Sequence, residues 1–567
     1  MEVSSASAVT NFPDPDPPEA RKRRGAVYTP RALADWVAQL VLARCPDAPE
    51  ILDLGCGEGA LIEGVLRFAP EARCSGVEMN SIAVAKARRS LGSHVRFHTE
   101  DVLQPASLRA SSLVDHWRAA LGGAPTAVVM NPPWGAAHTA SRELSVSRGL
   151  SLAVGQYDTY DLFCELALQI VRDGGAYGFI LPDSLFLPEH QPLRELILRR
   201  TSISLIARLG EGIFPGVYRG CVVVVGVVEP PSPDHRIECL RVTKEHRDAL
   251  QSSERFEACR TRLAHSVPQA RFAEDPWSRF DIDVTEADET IAKILAIGSG
   301  WAAPLVSRRG AEISKSGRIL QCGHCHSARP APKHQDAYCL ACGMGLADIP
   351  VTRIIEDAPG RTGKWAPFVA GEDVRRYAVR PSRWIRTGIR GINYKAPPAP
   401  GRDRLLVRKT GVGLNAAIDA TGAYTNQVVF DYVVKPGRRF DFSYLHYVLG
   451  VLSSRILFAF HLKRGGDLEW RSHPYVTQKT LADLPIPEPK RGSRQWTQAA
   501  AIAKAVQANH AQGGRELEIE ALVAGLYGLA ASDIRWALDV LDEAADLEPM
   551  RLLRLPKSVD ILPVVVT

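Results

Sequence analysis

The chain has 567 residues, 46% of them apolar and 23% charged, with a net charge of +6 and 11 cysteines. That length exceeds a single core and implies two to four domains of ordinary globular composition. With no leading apolar segment, and with its most apolar run (CVVVVGVV, 221–228) sized for a buried strand, the reading excludes secretion and membrane spanning and places the protein in the cytoplasm with reduced thiols.

Residues 1–20, rich in proline and aspartate, read as a disordered tail. From there to about residue 230, short β-branched runs alternate with helical patterns. The strand candidates are EILDLG (50–55), CSGVEM (74–79), VRFHTE (95–100), TAVVMN (126–131), AYGFIL (176–181), SLIARL (204–209) and CVVVVGVV. IAVAKARRSL and LFCELALQIV are among the helices between them. This alternation predicts an α/β fold, a doubly wound, mostly parallel Rossmann-like sheet whose ligands sit outside the carboxyl ends of the strands. The catalytic domain is taken to span 21–300. Residues 301–489, where arginine, glycine and proline are frequent, predict an irregular β-rich domain, and 490–567 a helical region.

The first strand runs into a glycine loop, ILDLGCGEGAL, with Gly55, Gly57 and Gly59 in line. Such a turn lets a ligand approach the backbone and exposes N–H groups at the start of the next helix. A nicotinamide fingerprint looks similar, but Asp53 faces the pocket, and a carboxylate suits a cationic amino-acid ligand better than a pyrophosphate. Glu78 ends the second strand where an acidic residue takes ribose hydroxyls, and Asp101, after the third, can accept from an adenine amino group. Together the three carboxylates suit S-adenosylmethionine. Cys56 reads as a packing residue within this loop.

The fourth strand ends in AVVMNPPWGAAH (127–138). Two prolines cannot extend a ladder, so the strand stops and Asn131 and Trp134 stand at a stiff tip. Asn-Pro is also an ordinary turn initiator.

Further on, CGHCHSARPAPKHQDAYCLACG supplies Cys322, Cys325, Cys339 and Cys342. Two C-x-x-C knuckles across a short loop are the pattern of a zinc ribbon, here at 318–346. Four sulfurs close a tetrahedron, which argues for a structural ion. His324, His326 and His334 are alternative ligands, and iron is an alternative metal.

These pieces together resemble the γ-class, TaqI-like N6-adenine DNA methyltransferases. The family's YTP element is matched by GAVYTPRALADWV (25–37), its glycine loop and acidic strand ends by those above, and its NPPY/F motif by NPPW. YDTYDLFCELAL and GGAYGFILPDSLF match the helix and strand that follow. The resemblance covers about 21–230 closely and, more loosely, a target-recognition domain beyond it. It implies that Tyr28, Thr29, Pro30, Asp53, Gly55, Gly57, Glu78, Asp101 and Asn131 hold S-adenosylmethionine. Asn131, Pro132, Pro133 and Trp134 would serve an adenine flipped out of duplex DNA, with Phe214 of GIFPGVY packing against the base. Trp134 departs from the family's Tyr or Phe and offers a larger stacking surface. In the recognition region, Arg375 with Arg376 and Arg408 with Lys409 are candidate phosphate contacts, as is RKRR (21–24).

No nuclease motif is evident, so in a restriction-modification or phage-defence system the nuclease or other subunits would be separate chains. An RNA or protein (glutamine) methyltransferase, and a non-catalytic DNA-binding specificity subunit, remain the competing readings.

Overall fold

The computed structural model describes residues 28–545 except 46–48, 109–111, 136–140, 215–218, 248–249, 286–287, 332–337, 348, 361, 396, 398–399, 412 and 466–475. The N-terminal tail, RKRR and His334 therefore lie outside the described residues. The chain divides into two compact units, Met1–Thr285 and Glu286–Thr567.

In the first unit, helix α1 (Arg31–Leu42) leads into β1 (Glu50–Leu54), α2 (Ala60–Phe68), β2 (Arg73–Val77), α3 (Ser81–Leu91), β3 (Arg96–His98), α4 (Leu113–Leu121) and β4 (Ala127–Met130). Then come α5 (Thr159–Ile170), β5 (Ala176–Pro182), α6 (Gln191–Arg200), β6 (Ser202–Gly210), β7 (Cys221–Val227), β8 (Arg236–Arg241) and β9 (His265–Pro268). They form one nine-stranded sheet in the order β3-β2-β1-β4-β5-β7-β6-β8-β9. Strands β3, β2, β1, β4 and β5 are parallel, and β7 inserts antiparallel between β5 and β6. The order reverses at β1 and β4, which opens the crevice where doubly wound sheets bind ligands.

Both sheet faces are covered, so the strands read as continuous apolar runs. In β7, Val222 and Val224 enter one core with Trp117 and Tyr160, while Val223 and Val225 enter the other with Trp36 and Val37. That alternation is the two-residue period of a strand.

The second unit contains an antiparallel sheet of strands Leu305–Arg309, Val429–Val434, Arg404–Arg408 and Ala416–Asp419. A second sheet joins Ile355–Glu356, Arg383–Thr387, Lys364–Val369 and Tyr424–Thr425. Arg404 of the first sheet is buried and donates to Asp419 and Asp431 of the neighbouring strands at 2.8 and 2.7 Å. Helices Arg494–Gln512, Glu516–Tyr527 and Ala531–Ala545 follow the pattern read from the sequence.

The β-rich expectation for 301–489 needs one correction. Tyr444–Leu452 and Arg455–Gly465 are helices, and every residue of the first is buried. A helix apolar all round shows no amphipathic period, so its sequence carries no helical signal. Among the described residues, no single helix is long and apolar enough to cross a membrane.

Candidate active site

The crevice at the carboxyl ends of β1, β2 and β4 gathers most of the residues singled out in the sequence. Asp53, next to last in β1, is 1% exposed, and its Oδ1 is buried without a hydrogen-bond partner among the described residues. Burial, and after it the charge on Glu78, push its carboxyl well above the ordinary range. A buried acceptor left in this state is the complement of a cationic ligand group.

The glycine loop follows at once. Gly55 and Gly57 have φ of +79° and +54°, the left-handed region where a side chain is strained. A Cβ on Gly57 would meet nothing within 4 Å, so a ligand can lie against the backbone there. One on Gly55 would lie 3.9 Å from Pro133, so the loop abuts the tip of β4. Glu78 fastens the loop from the side: one oxygen accepts from Gly57 N at 3.1 Å, the other from Asn80 N at 2.8 Å. Each carboxylate oxygen has a further lone pair, so hydroxyl donors can still be accepted. Asp101 accepts from Leu103 N (2.9 Å) and Gln104 N (3.2 Å) through one oxygen, an Asx turn that sets the loop after β3. Cys56 is buried and its thiol raised well above the ordinary value by that burial, as befits a packing residue.

At the tip of β4, Asn131 Nδ2 donates to Thr29 Oγ1 at 3.1 Å. In this orientation the amide nitrogen is turned to Thr29 and Oδ1 is the end left to act as an acceptor. Its neighbour Pro30 begins α1, accepting from Ala34 N at 3.0 Å, so the YTP segment is anchored to a helix. Trp134 and Phe214 meet edge to face, ring centres 5.1 Å apart, and are 5% and 2% exposed. The structure therefore brings together two aromatic residues 80 positions apart in the chain.

One residue beside this tip was not singled out in the sequence reading. Asp158 accepts from Gly135 N with both oxygens (2.9 and 3.0 Å) and from Thr159 N at 2.7 Å. It caps α5 and holds the residue directly after Trp134. Arg219 lies over the same glycine, where an added Cβ would sit 3.1 Å from its guanidinium. The available signal was Asp158 and Asp161 spaced as a capping box, which the structure confirms.

In the second unit, the sulfurs of Cys322, Cys325, Cys339 and Cys342 lie within 4.8 Å of one another, and neither His324 nor His326 joins them. Three short strands, Arg318–Gln321, Ala328–Pro330 and Thr352–Arg353, carry the cluster. N–H groups of Cys325 and His324 donate to Cys322, and those of Ala341 and Cys342 to Cys339, lowering both thiols, Cys339 to about 6. Cys342 receives the Met344 N–H, yet the sulfurs around it push it up to about 12. Four thiolates this close repel one another and favour a cation among them.

Of the basic candidates, Arg375 is exposed. Arg376 is corrected to a structural role: it pairs with Glu516 and Glu520 and donates to Ser453 O at 2.7 Å. Arg408 is half-buried, and that burial lowers its pKa.

Residues 123–214 match the family model of the Eco57I restriction-modification methylase, and 24–147 that of the methyltransferase small domain. The chain is 28% identical over 223 residues to a type II methyltransferase, M.TthHB8I of Thermus thermophilus, covering 38% of this chain and 47% of that one. It is 25% identical over 164 residues to a release factor glutamine methyltransferase of Bacteroides thetaiotaomicron, covering 27% and 54%. The chain thus spans about half the length of these curated relatives. A solved type IIG restriction endonuclease, BpuSI, superposes over 93% of this chain and 66% of its own at 13% identity, with a TM-score of 0.41. Residues 24–147 are thus similar to a small methyltransferase domain, and residues 123–214 to the methylases of restriction-modification systems.

Proposed function

We propose that the protein is an S-adenosylmethionine-dependent DNA methyltransferase that methylates N6 of an adenine flipped out of duplex DNA, within a restriction-modification or phage-defence system. The observation that carries this reading is Asn131, held by Thr29 at the tip of β4, where Pro133 lies next to Gly55 of the glycine loop. Bound S-adenosylmethionine supplies an electrophilic methyl group. Asp53 would hold its ammonium, Glu78 its ribose hydroxyls and Asp101 its adenine amino group, with Tyr28, Thr29, Pro30, Gly55 and Gly57 around it.

An adenine amino nitrogen is a poor nucleophile because its lone pair is delocalised into the ring. Asn131 Oδ1 and the Pro132 carbonyl would accept its two N–H groups and favour a pyramidal, more available lone pair. This is preorganised electrostatics and positioning, and water takes the proton afterwards. Trp134 and Phe214, now in contact, would part to admit the base, whose stacking offsets the few kcal/mol of flipping. The cysteine cluster would hold a structural zinc, and the unit that carries it would contact DNA.

The test is methyl transfer from tritiated S-adenosylmethionine to duplex DNA, with the labelled base identified. N6-methyladenine supports the reading. Label in RNA, or on a glutamine side chain as the likeness to the release factor enzyme suggests, overturns it. So does cofactor binding with no transfer to any duplex.

Two expected results follow from the geometry. Between the unfolded aspartate value of about 4 and its raised folded value, Asp53 holds a proton that the unfolded chain has released. Ligand-free stability therefore falls as pH rises through that window. Asp53→Asn removes this penalty, so the ligand-free Tm at pH 8 should rise by about 2–4 °C, with the difference vanishing near pH 4. Affinity for S-adenosylhomocysteine should drop about tenfold or more with the lost charge–charge contact. Thermal melts with and without that ligand check both.

Asp158→Ala frees the Gly135 amide and should lower kcat about tenfold to a hundredfold with cofactor affinity unchanged. Asp158→Asn keeps one acceptor oxygen and should restore most of the rate. A loss confined to thermal stability would make Asp158 a helix cap only.

A further inference from the structure

The second unit contains a cavity of about 810 Å³ whose lining includes Arg438, Arg439, Phe440, Lys490, Arg491 and Trp496. Nothing in the methyl-transfer reading uses it. Its volume lies in the range of small-ligand sites, roughly 300–1,000 Å³.

The charge is one-sided. Four cations face a single lining carboxylate, Glu488, which sits 3.5 Å from Arg438. Among the described residues no carboxylate pairs with Arg439, Lys490 or Arg491, and all three are exposed. They come from two separate stretches, the turn after strand Val429–Val434 and the loop before helix Arg494–Gln512, so the fold converges them.

The helix adds a second observation. Its first turn has no acidic residue, while Lys490, Arg491 and Arg494 gather at its start around the Ser493 cap. Cations at a helix N-terminus oppose the dipole and weaken the helix. An anion bound there would be attracted by both the cations and the dipole and would offset that cost.

The aromatic wall narrows the ligand class. Trp496 is half-buried and ends a stack: Phe440 lies 5.9 Å away with planes at 27°, and Tyr444 lies 4.3 Å beyond at 22°. Phe442 meets Trp496 edge on at 5.1 Å and fixes the ring. A rigid indole beside three cations suits a flat base carrying phosphate.

We propose that this cleft binds a phosphorylated nucleotide, its base against Trp496 and its phosphates among Arg439, Lys490 and Arg491. The nucleotide is either free or one unit of a single strand; the chemistry is shared.

Binding is measured by fluorescence anisotropy on the full chain, with excess S-adenosylhomocysteine present to occupy the crevice of the first unit. The probes are a fluorescent guanosine triphosphate and a labelled octathymidylate. The Arg439→Glu, Arg491→Glu double variant should lose about tenfold or more in affinity for whichever probe binds. Trp496→Leu should weaken the nucleotide while leaving competition by inorganic pyrophosphate unchanged. Because Trp496 also supports its neighbours, the exposed charge pair carries the test and a thermal melt verifies its folding. Equal affinity of wild type and double variant, or no binding of either probe below about 1 mM, overturns the proposal. Binding of the triphosphate alone identifies a free nucleotide, and of the oligonucleotide alone a strand. None of these readouts depends on methyl transfer, so failure here and failure of the methyltransferase reading are separate results.

Discussion

Replacing Asn131 with alanine is expected to reduce methyl transfer to duplex DNA by about a hundredfold to a thousandfold or more, the usual cost of losing one preorganised polar contact to a reacting group. The side chain removed is the one whose amide Thr29 orients at 3.1 Å. Its acceptor oxygen is the part that acts on the substrate amine. Affinity for S-adenosylhomocysteine should change far less, since Asp53, Glu78 and the glycine loop stay in place. Thr29→Val keeps Asn131 but frees its amide to rotate, and should produce a smaller loss of about tenfold in kcat. Single-turnover kinetics beside equilibrium binding separate the two effects. Equal rates for wild type and Asn131→Ala would remove Asn131 from the chemistry.

The second large effect concerns the cysteine cluster. Protein produced with zinc should carry about one zinc per chain, and Cys339→Ser with Cys342→Ser should carry none. Structural zinc sites contribute on the order of 10 kcal/mol to the folding of their own small domains. Their loss should therefore open the 318–346 segment to protease while the first unit keeps its cofactor affinity. The mini-core that would go with it is small: Leu320 and Leu346 are the buried aliphatic side chains packed with Cys322 and Cys339. Metal analysis and limited proteolysis decide the matter. A wild-type chain without metal, or a variant as protease-resistant as wild type, would make the four cysteines plain packing residues.

How much of this was legible in the sequence depended on how far apart the interacting residues lie. The strands of the first unit announce themselves, because β-branched runs such as CVVVVGVV have no other good use. The glycine loop and NPPW stand at strand ends, and a strand end is a local property. Asp158 is different: its capping role is local, but its hold on Gly135 spans 23 positions. Arg376 shows the same limit more sharply. Beside Arg375 it looks like part of a basic surface, yet its partners Glu516 and Glu520 lie 140 and 144 residues away. A charge run says nothing about whether its counter-ions arrive from solvent, from a nucleic acid or from the far end of the same chain. The buried helices from Tyr444 to Gly465 were silent for a different reason, since periodicity exists only where one side meets water.

The position of β7 has a consequence for synthesis on the ribosome. It is the last of strands β5, β6 and β7 to emerge, yet it lies between the other two. The outer edge of β5 therefore waits for about 40 further residues, roughly 2–8 s of elongation, before its neighbour exists. During that interval an apolar strand edge is open to misplaced pairing. Phe214 lies in the connection between β6 and β7, so its place beside Trp134 is expected to be fixed once both strands of that hairpin are in the sheet. A nascent chain halted before Cys221 would carry Asn131, both prolines, Trp134 and Phe214, and still lack β7, the strand that joins β6 to β5. The aromatic contact is thus expected to belong to the last stage of assembly, once β7 has joined β6 to β5.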